Sequence, residues 1–478
     1  MTPRRLPRSL AGLGLVLLAG CALGPRYRRP TIAAMPARFV TPAPPAAPVW
    51  PARGWWRGFG SPTLDRLIAQ AETHNFDIRV AIAQELQANA QTTIAGAPLL
   101  PSLSGGPGGT WSKGSSRTSA GGQASHPGGT YSRQFQLGFN ASYELDLWGK
   151  NRAALQSAQA SLLASRFNRE TVALTVVSSV ATTWFTALAL EDRLAIAKHN
   201  LADARAILAA VEGQLAAGTT TALAIAQQRA LVAAEAATIP NFRSQILQEI
   251  LALGILVGTP PEAISVPAGT LAGLHFPVVA PGLPSALLRR RPDVAAAEAT
   301  LIADNANIRS ARAALFPSIT LTGAGGWESL ALSSLFAPGS TFGTLAASLT
   351  QTLFDNGANA AQVRVARGQY AQALALYEKS VVQAFTDVET ALTAYRYATT
   401  QERLQRQAVA VAQTAADIAR AQLAAGTTDV TTVLSTEQTL LADEDTLAQI
   451  RLARILALVS LYKALGGGWR VPSAAAAS

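Results

Sequence analysis

Residues 134–147 read Gln-Phe-Gln-Leu-Gly-Phe-Asn-Ala-Ser-Tyr-Glu-Leu-Asp-Leu, and just beyond Trp148-Gly149 the periodicity changes for the next 67 residues. Phe135, Leu137, Phe139, Ala141, Tyr143, Leu145 and Leu147 alternate with polar or small partners, which predicts a strand apolar on one face and polar on the other. From Lys150 to Ala216 apolar residues recur at spacings of three and four, through Leu163, Phe167, Leu174, Val177, Ala181, Trp184 and Leu188. After one register shift the spacing continues from Leu190 to Leu215. A helix of that length spans roughly 100 Å at ~1.5 Å per residue. Such a seam has to pack along its length against other long helices.

The run ends at Gln214-Leu215-Ala216-Ala217-Gly218-Thr219-Thr220, and the same seven residues return at Gln422-Leu423-Ala424-Ala425-Gly426-Thr427-Thr428. Gly can take the left-handed C-terminal cap there, and a Thr can cap the returning helix. An offset of 208 also superposes Trp148-Gly149 on Asn356-Gly357. Upstream, an offset of 216 pairs Asp77 with Asp293, Asn89 with Asn305, Pro101 with Pro317 and Trp111 with Trp327. The pattern predicts one unit duplicated.

Each copy is expected to hold a helix, two strands and a long helical hairpin. Copy one has a helix over about 63–97 and strands over about 100–112 and 131–147; copy two has strands over about 316–327 and 341–354. Trp111, Tyr131, Trp327, Phe336 and Phe342 fall near strand ends, where interfacial aromatics belong. Alternation alone also fits a soluble four-stranded sheet under helices. In a bilayer, four strands cannot close a barrel, since the smallest have ~8, so a membrane sheet would have to be shared between chains. Pro240 is expected to interrupt the first returning helix, whereas its counterpart is Ala448.

Arg4, Arg5 and Arg8 precede the short apolar run Leu10–Leu18 and then Leu18-Ala19-Gly20-Cys21, the pattern of a secretory signal. Cys21 is the only cysteine, so no disulfide can form. Eight prolines between 22 and 51 describe an extended tether. The placement of Cys21 directly after Leu-Ala-Gly resembles the lipobox of bacterial lipoproteins, and with that resemblance the expected organisation is a lipoprotein signal peptide (1–20), a lipidated Pro-rich tether (21–54), repeat one (55–258), a linker (259–284), repeat two (285–470) and a loose tail (471–478).

Charged residues make up 14% of the chain, and removing residues 1–20 lowers the formal charge from +10 to +7. Export and dilute charge argue against nucleic acid as a partner. The one basic cluster, Arg289–Arg291 before Pro292-Asp293, reads as a solvated helix flank. Mean hydropathy is +0.20, yet no apolar run of ~20 residues follows the signal, which leaves a closed β-barrel as the way into a bilayer. The four His, at 74, 126, 199 and 275, are scattered, and no nucleophile elbow or metal motif is present. The reading is not an enzyme, with no cofactor.

Several segments together resemble the outer-membrane efflux factor family over essentially the whole mature chain. They are the Leu-Ala-Gly-Cys lipobox followed by Gly24-Pro25-Arg26-Tyr27-Arg28-Arg29-Pro30, Trp55-Trp56 with Leu64-Asp65-Arg66-Leu67, Arg291-Pro292-Asp293, Phe316-Pro317-Ser318-Ile319, and Ser460 to Trp469. The resemblance is to the TolC-like lipoprotein branch that serves tripartite resistance-nodulation-division (RND) pumps. It implies an α+β membrane protein: a homotrimer whose twelve strands, four per chain, form an outer-membrane barrel continued by a periplasmic coiled-coil barrel. It also implies lipid on Cys21, an adaptor protein and an inner-membrane RND transporter as partners, and passive conduction of small toxic compounds. A duct for type I protein secretion is the alternative, and a periplasmic coiled-coil lipoprotein without a channel is a further one.

By the same resemblance the hairpin turns form the periplasmic tip, with Gly218, Thr219, Thr220, Gly426, Thr427 and Thr428 meeting the adaptor and Leu423, Asp429, Thr432 and Ser435 lining the aperture. The glycines could equally be helix caps alone. Where relatives often carry charges, this chain has the hydroxyls of Thr428, Thr432 and Ser435, with Asp429 the nearby acid. The expectation is a weak electrostatic latch held by packing of Leu423, Val430 and Leu434.

Overall fold

The computed structural model describes residues 24–25, 27–31, 39–40, 50–113, 131–264, 267–277 and 287–470. The signal peptide, Cys21, most of the tether, residues 114–130, parts of the linker and the tail 471–478 lie outside the described residues. In chain order the elements are α1 (Pro62–His74), α2 (Phe76–Gly96), β1 (Ser102–Lys113), β2 (Tyr131–Leu145), α3 (Lys150–Ala216), α4 (Ala222–Val257), α5 (Pro292–Ala313), β3 (Ser318–Ser329), β4 (Thr341–Thr350), α6 (Ala358–Ala424) and α7 (Val430–Ala464). Both long helices, α3 and α6, have 67 residues. The molecule is mostly helical with one small antiparallel sheet of order β1-β2-β3-β4.

Two compact units divide the chain. One gathers the described residues up to Pro30 and those within Leu86–Ala164 and Glu298–Leu376, and includes the sheet. The other gathers Thr31–Glu85, Ser165–Ala297 and the chain from Tyr377 onward. In the second unit Phe59, Leu64, Ile68, Phe185, Leu253, Ile455 and Leu458 are fully buried in one cluster. Each such side chain contributes about 1.5–3 kcal/mol of transfer free energy. Trp55 stacks on Tyr462 at 4.7 Å in that cluster. One window of α3 is apolar enough by composition to cross a bilayer, but 56% of it is buried in the fold, as in the core helix of a globular unit.

The helix expected over 63–97 is two helices. Asn75 leaves the helical region (φ −59°, ψ 133°), and its Oδ1 accepts from the amides of Asp77 and Ile78 at 2.8 and 3.1 Å, capping α2. Its Nδ2 donates to Leu256 O at 2.8 Å, tying the break to α4. The interruption expected at Pro240 is absent: α4 continues through it. Phe242 and Ile246 pack on Leu190, Leu194 and Ala197, and that burial holds the helix across the missing amide donor.

Arg291 is not a solvated flank. It is 8% exposed, pairs with Asp293 at 2.6 Å and Asp387 at 2.8 Å, and donates to Ala464 O at 3.3 Å. Burial alone would lower its pKa, but the two carboxylates outweigh it and raise the value. Arg290 lies 4.2 Å from the Trp50 ring centroid. Just past α7, Gly466 has φ +85° and passes so close to this segment that any β-carbon on it would overlap Arg290 O.

Candidate channel-forming surfaces

The strand register carries the first functional surface. Leu103 faces Ala141, Leu137 faces Trp327, Tyr143 faces Leu321, and Leu321 faces Ala347. Side chains alternate with period 2, so this register puts the apolar positions of all four strands on one face. Gln134, Gln136, Asn140, Ser142, Thr320, Thr322, Thr344 and Ser348 share the other. The chain leaves the apolar face uncovered: Leu345 is 90% exposed, Leu103 73% and Leu349 66%. Trp111, Tyr131 and Trp327 lie on this apolar face at the ends far from the helices, and Phe336 packs edge-on to Trp327 at 5.7 Å. Phe342 departs from the expected belt, because pairing with Gly326 places it on the polar face. Gly105 is required where it stands: a β-carbon there would come within 2.6 Å of the Phe139 ring. Among the described strands, β1 and β4 each have one neighbour only.

Where the sheet meets the helices, Asp146 caps α3 by accepting from the amides of Asn151 and Arg152 at 3.2 and 2.8 Å. Trp148 donates to Pro317 O at 2.7 Å and lies 5.0 Å from Phe316, joining the two halves of the sheet at its base.

The second surface is the pair of hairpin turns. Thr219 N–H donates to Gln214 O and Gly218 N–H to Leu215 O, both at 2.9 Å. Thr427 and Gly426 repeat the pattern onto Gln422 and Leu423 at 2.9 and 3.0 Å. Both turns are Schellman caps, and Gly218 and Gly426 sit at φ +75° and +70°. Open space surrounds both glycines, so backbone conformation rather than packing requires them. Gly218, Thr219, Gly426 and Thr427 are exposed, whereas Thr220 and Thr428 are half-buried.

The turns differ in the cap that follows. Thr221 caps α4 through Ala224 N at 3.3 Å, but Asp429 caps α7 through Thr432 N at 2.8 Å and also accepts from the Thr432 hydroxyl at 2.8 Å. The first hairpin is capped by a Thr, but by Thr221, one residue beyond the repeated seven, and the second by a carboxylate. The Thr432 amide and hydroxyl hold the Asp429 carboxyl below its ordinary range. Leu423, expected at the aperture, is 6% exposed within the chain and packs with Val430, Leu434, Ile207 and Val211 in a core shared by both hairpins. Asp429, Thr432 and Ser435 are exposed.

Buried charge near the turns escaped the sequence reading. Glu437 is 3% exposed; Arg420 Nε lies 2.6 Å from its Oε1 and Nη2 donates to its Oε2 at 2.8 Å. Asp203 and Asp417 complete the set at 3.1 and 3.2 Å from Arg420. The bond to Glu437 raises the Arg420 pKa. The signal was present: the offset of 208 carries Glu212 onto Arg420 and Arg229 onto Glu437, the same pair with charges exchanged. Glu212 and Arg229 pair at 2.8 Å on the exposed surface. Farther along α6, Glu402 is 2% exposed and meets Arg406, Arg454 at 2.8 Å and Arg451 at 3.6 Å. Arg193 grips Asp445 with two bonds, 2.5 and 3.0 Å. No group of three or more metal-binding side chains exists among the described residues.

A sheet with one uncovered apolar face, joined to long helical hairpins, fits a protein of the membrane-channel class. The model of the outer membrane efflux protein family matches residues 67–259 and 283–467. The chain belongs to that family, which is one of channels. It is 38% identical over 474 residues to the pyoverdine export outer membrane protein OpmQ of Pseudomonas putida, covering 98% of this chain and 99% of that protein. It is 32% identical over 460 residues to the cation efflux system protein CusC of Escherichia coli, covering 94% and 97%. Among solved structures, the outer-membrane channel OprN superposes with a TM-score of 0.88 at 28% identity, covering 94% of this chain and 100% of that one. The protein is an efflux channel of the outer membrane.

Proposed function

We propose that three copies close a twelve-stranded barrel in the outer membrane, with the apolar sheet face toward lipid and the polar face toward a water-filled lumen. The helical hairpins continue it as a periplasmic conduit. The observation that carries this reading is the sheet: its apolar face is uncovered and strands β1 and β4 have free edges. Open edges do not persist in hydrocarbon, and four strands are about half of the smallest closed barrel, so β4 of one copy pairs with β1 of the next. Residues 55–258 and 285–470 act as two repeats, each supplying two strands.

The partners in this reading are a periplasmic adaptor at the turns around Gly218 and Gly426 and an inner-membrane RND transporter that supplies the driving force. Cys21 carries the lipid anchor. The cargo is small and toxic, and the pump selects it. Relatives bear names of pyoverdine export, cation efflux and solvent efflux, a range that a wide conduit of low specificity accommodates.

The test has two readouts. The detergent-extracted protein should run as a heat-modifiable species with the mass of three chains, and a deletion strain should accumulate a fluorescent toxic dye until the intact gene is restored. A monomer that migrates alike with and without heating would remove the barrel. Unchanged dye accumulation with loss of a secreted protein would move the reading to a protein-secretion duct.

A further inference from the structure

The charges of the sheet are sorted between its faces. Trp111 is paired with Arg133 and Lys113 with Tyr131 at the ends of β1 and β2 far from the helices, and this register puts all four side chains on the apolar face. The Arg133 guanidinium carbon lies 4.3 Å from the Trp111 ring centroid, and Lys113 Nζ lies 5.2 Å from that of Tyr131. All four residues are exposed. Among the described strand residues no other charge stands on this face. The acids Glu144 and Glu328, paired with Thr320 and Gln136, fall on the polar one.

Interfacial snorkelling alone would allow cations at either border of an apolar face. Here the border beside the helices carries Leu103, Leu145, Ile319 and Leu349, and both cations stand at the opposite border, on two adjacent strands. Lys113 and Arg133 are diagonal neighbours, about 7–8 Å apart at the backbone, so their long side chains can close on one anion between them. Arg offers a planar fork of N–H donors and Lys a compact point charge, a combination suited to phosphate. The ring beneath each cation holds it by cation–π attraction. From these residues toward the helices the face is flat along β1, where its positions are Gly105, Pro107 and Gly109. The Phe139 ring covers Gly105, and the Phe135 ring comes within 3.9 Å of a β-carbon placed on Gly109.

We propose that Lys113 and Arg133, held by Tyr131 and Trp111, bind a phosphate of a phosphorylated glycolipid in the outer leaflet, whose acyl chains lie along the flat apolar surface beside Phe135 and Phe139. The proposal rests on the barrel reading, which turns this face to lipid and the strand ends far from the helices outward. Charge complementarity selects the occupant. A phosphate monoester carries about −1.5 to −2 charges at neutral pH, which two cations match, whereas the diester of an ordinary phospholipid carries a single charge.

Heat-modifiable migration of the wild type is read first; a monomer there removes the barrel reading and this proposal with it. With the trimer in hand, purified lipid A is titrated onto the detergent-solubilised protein and occupancy is read by native mass spectrometry. The variants are Lys113→Gln with Arg133→Gln and, removing the same charge from exposed positions of α6, Arg364→Gln with Arg367→Gln. The strand pair should weaken lipid A binding about ten- to thirtyfold, the effect of two basic residues at an anionic lipid surface, and the α6 pair should leave it unchanged. Lipid A stripped of its phosphates should bind wild type as weakly as intact lipid A binds the strand variant, a comparison that needs no variant to fold. Phosphatidylglycerol, a diester, should lose less than about threefold in the strand variant. If trimeric wild type binds the two forms of lipid A equally, the proposal falls while the barrel stands. Undiminished binding in the strand variant, equal loss in the α6 pair, or an equal loss for phosphatidylglycerol would each overturn it as well.

Discussion

Arg420 and Glu437 form one ion pair, yet removing either partner should have unequal consequences. The Arg420 side chain is 29% exposed and has Asp203 and Asp417 as further partners, so Glu437→Ala leaves a cation that is still paired and partly hydrated. That variant should cost about 1 kcal/mol. Arg420→Ala is different: Glu437, at 3% exposure, loses its guanidinium partner while Asp203 and Glu444 still act on the same region. Leaving a buried charge unpaired costs about 3–5 kcal/mol. The double variant removes the orphan and should fall well below Arg420→Ala alone. Hydrogen exchange measured by mass spectrometry on the detergent-solubilised protein reads local opening over 414–440. Exchange there should accelerate by about two to three orders of magnitude in Arg420→Ala and by less than about tenfold in Glu437→Ala, since ~1.4 kcal/mol is a factor of ten. Equal acceleration in the two single variants, or a double variant as open as Arg420→Ala, would refute the burial argument.

Three further outcomes follow from the same geometry. Gly426→Ala should cost about 1–2 kcal/mol through its left-handed backbone alone and leave assembly intact, whereas Gly466→Ala adds overlap with Arg290 O and should abolish folded protein in an outer-membrane extract. Leu345→Arg puts a cation on the uncovered apolar face and should lower membrane insertion by about 2–4 kcal/mol, while Thr344→Arg on the polar face should insert normally, as read by heat-modifiable migration. Burial would raise the Glu402 carboxyl, but bonds from Arg454 and Arg406 overcome this and hold it below its reference value of 4.5. A depressed carboxylate contributes stability that is present above about pH 4.5 and lost as pH falls through the folded value. Proteolysis of the region around Glu402 should rise across that acid range in wild type and show a flatter pH profile in Glu402→Gln.

Much of the architecture is legible in the chain because its signals are local and repeated. The alternation from Gln134 to Leu147 and the switch at Trp148-Gly149 mark β2 and the start of α3 directly, and Gly218 and Gly426 mark the turns because a Schellman cap needs a left-handed residue. Boundaries set by side-chain caps were harder to see. Asn75 splits one expected helix because its amide also finds Leu256 O on α4, a partner 181 residues away. Pro240 failed as a breaker because burial of Phe242 and Ile246 outweighs one lost hydrogen bond. Arg291 read as solvated because its partners Asp387 and Ala464 are distant in sequence, and the burial of Leu423 shows only in its packing against Ile207 and Val211.

The sequence by itself determined most of the elements, the two similar halves, the two turns and the family, since periodicity acts over a few residues and motifs are read in place. Tertiary structure decided which strands share an apolar face, which charges are buried, and that Gly24, Pro25, Tyr27 and Arg29 contact α5. Those properties depend on register and on contacts between residues tens to hundreds of positions apart, and no local pattern encodes them.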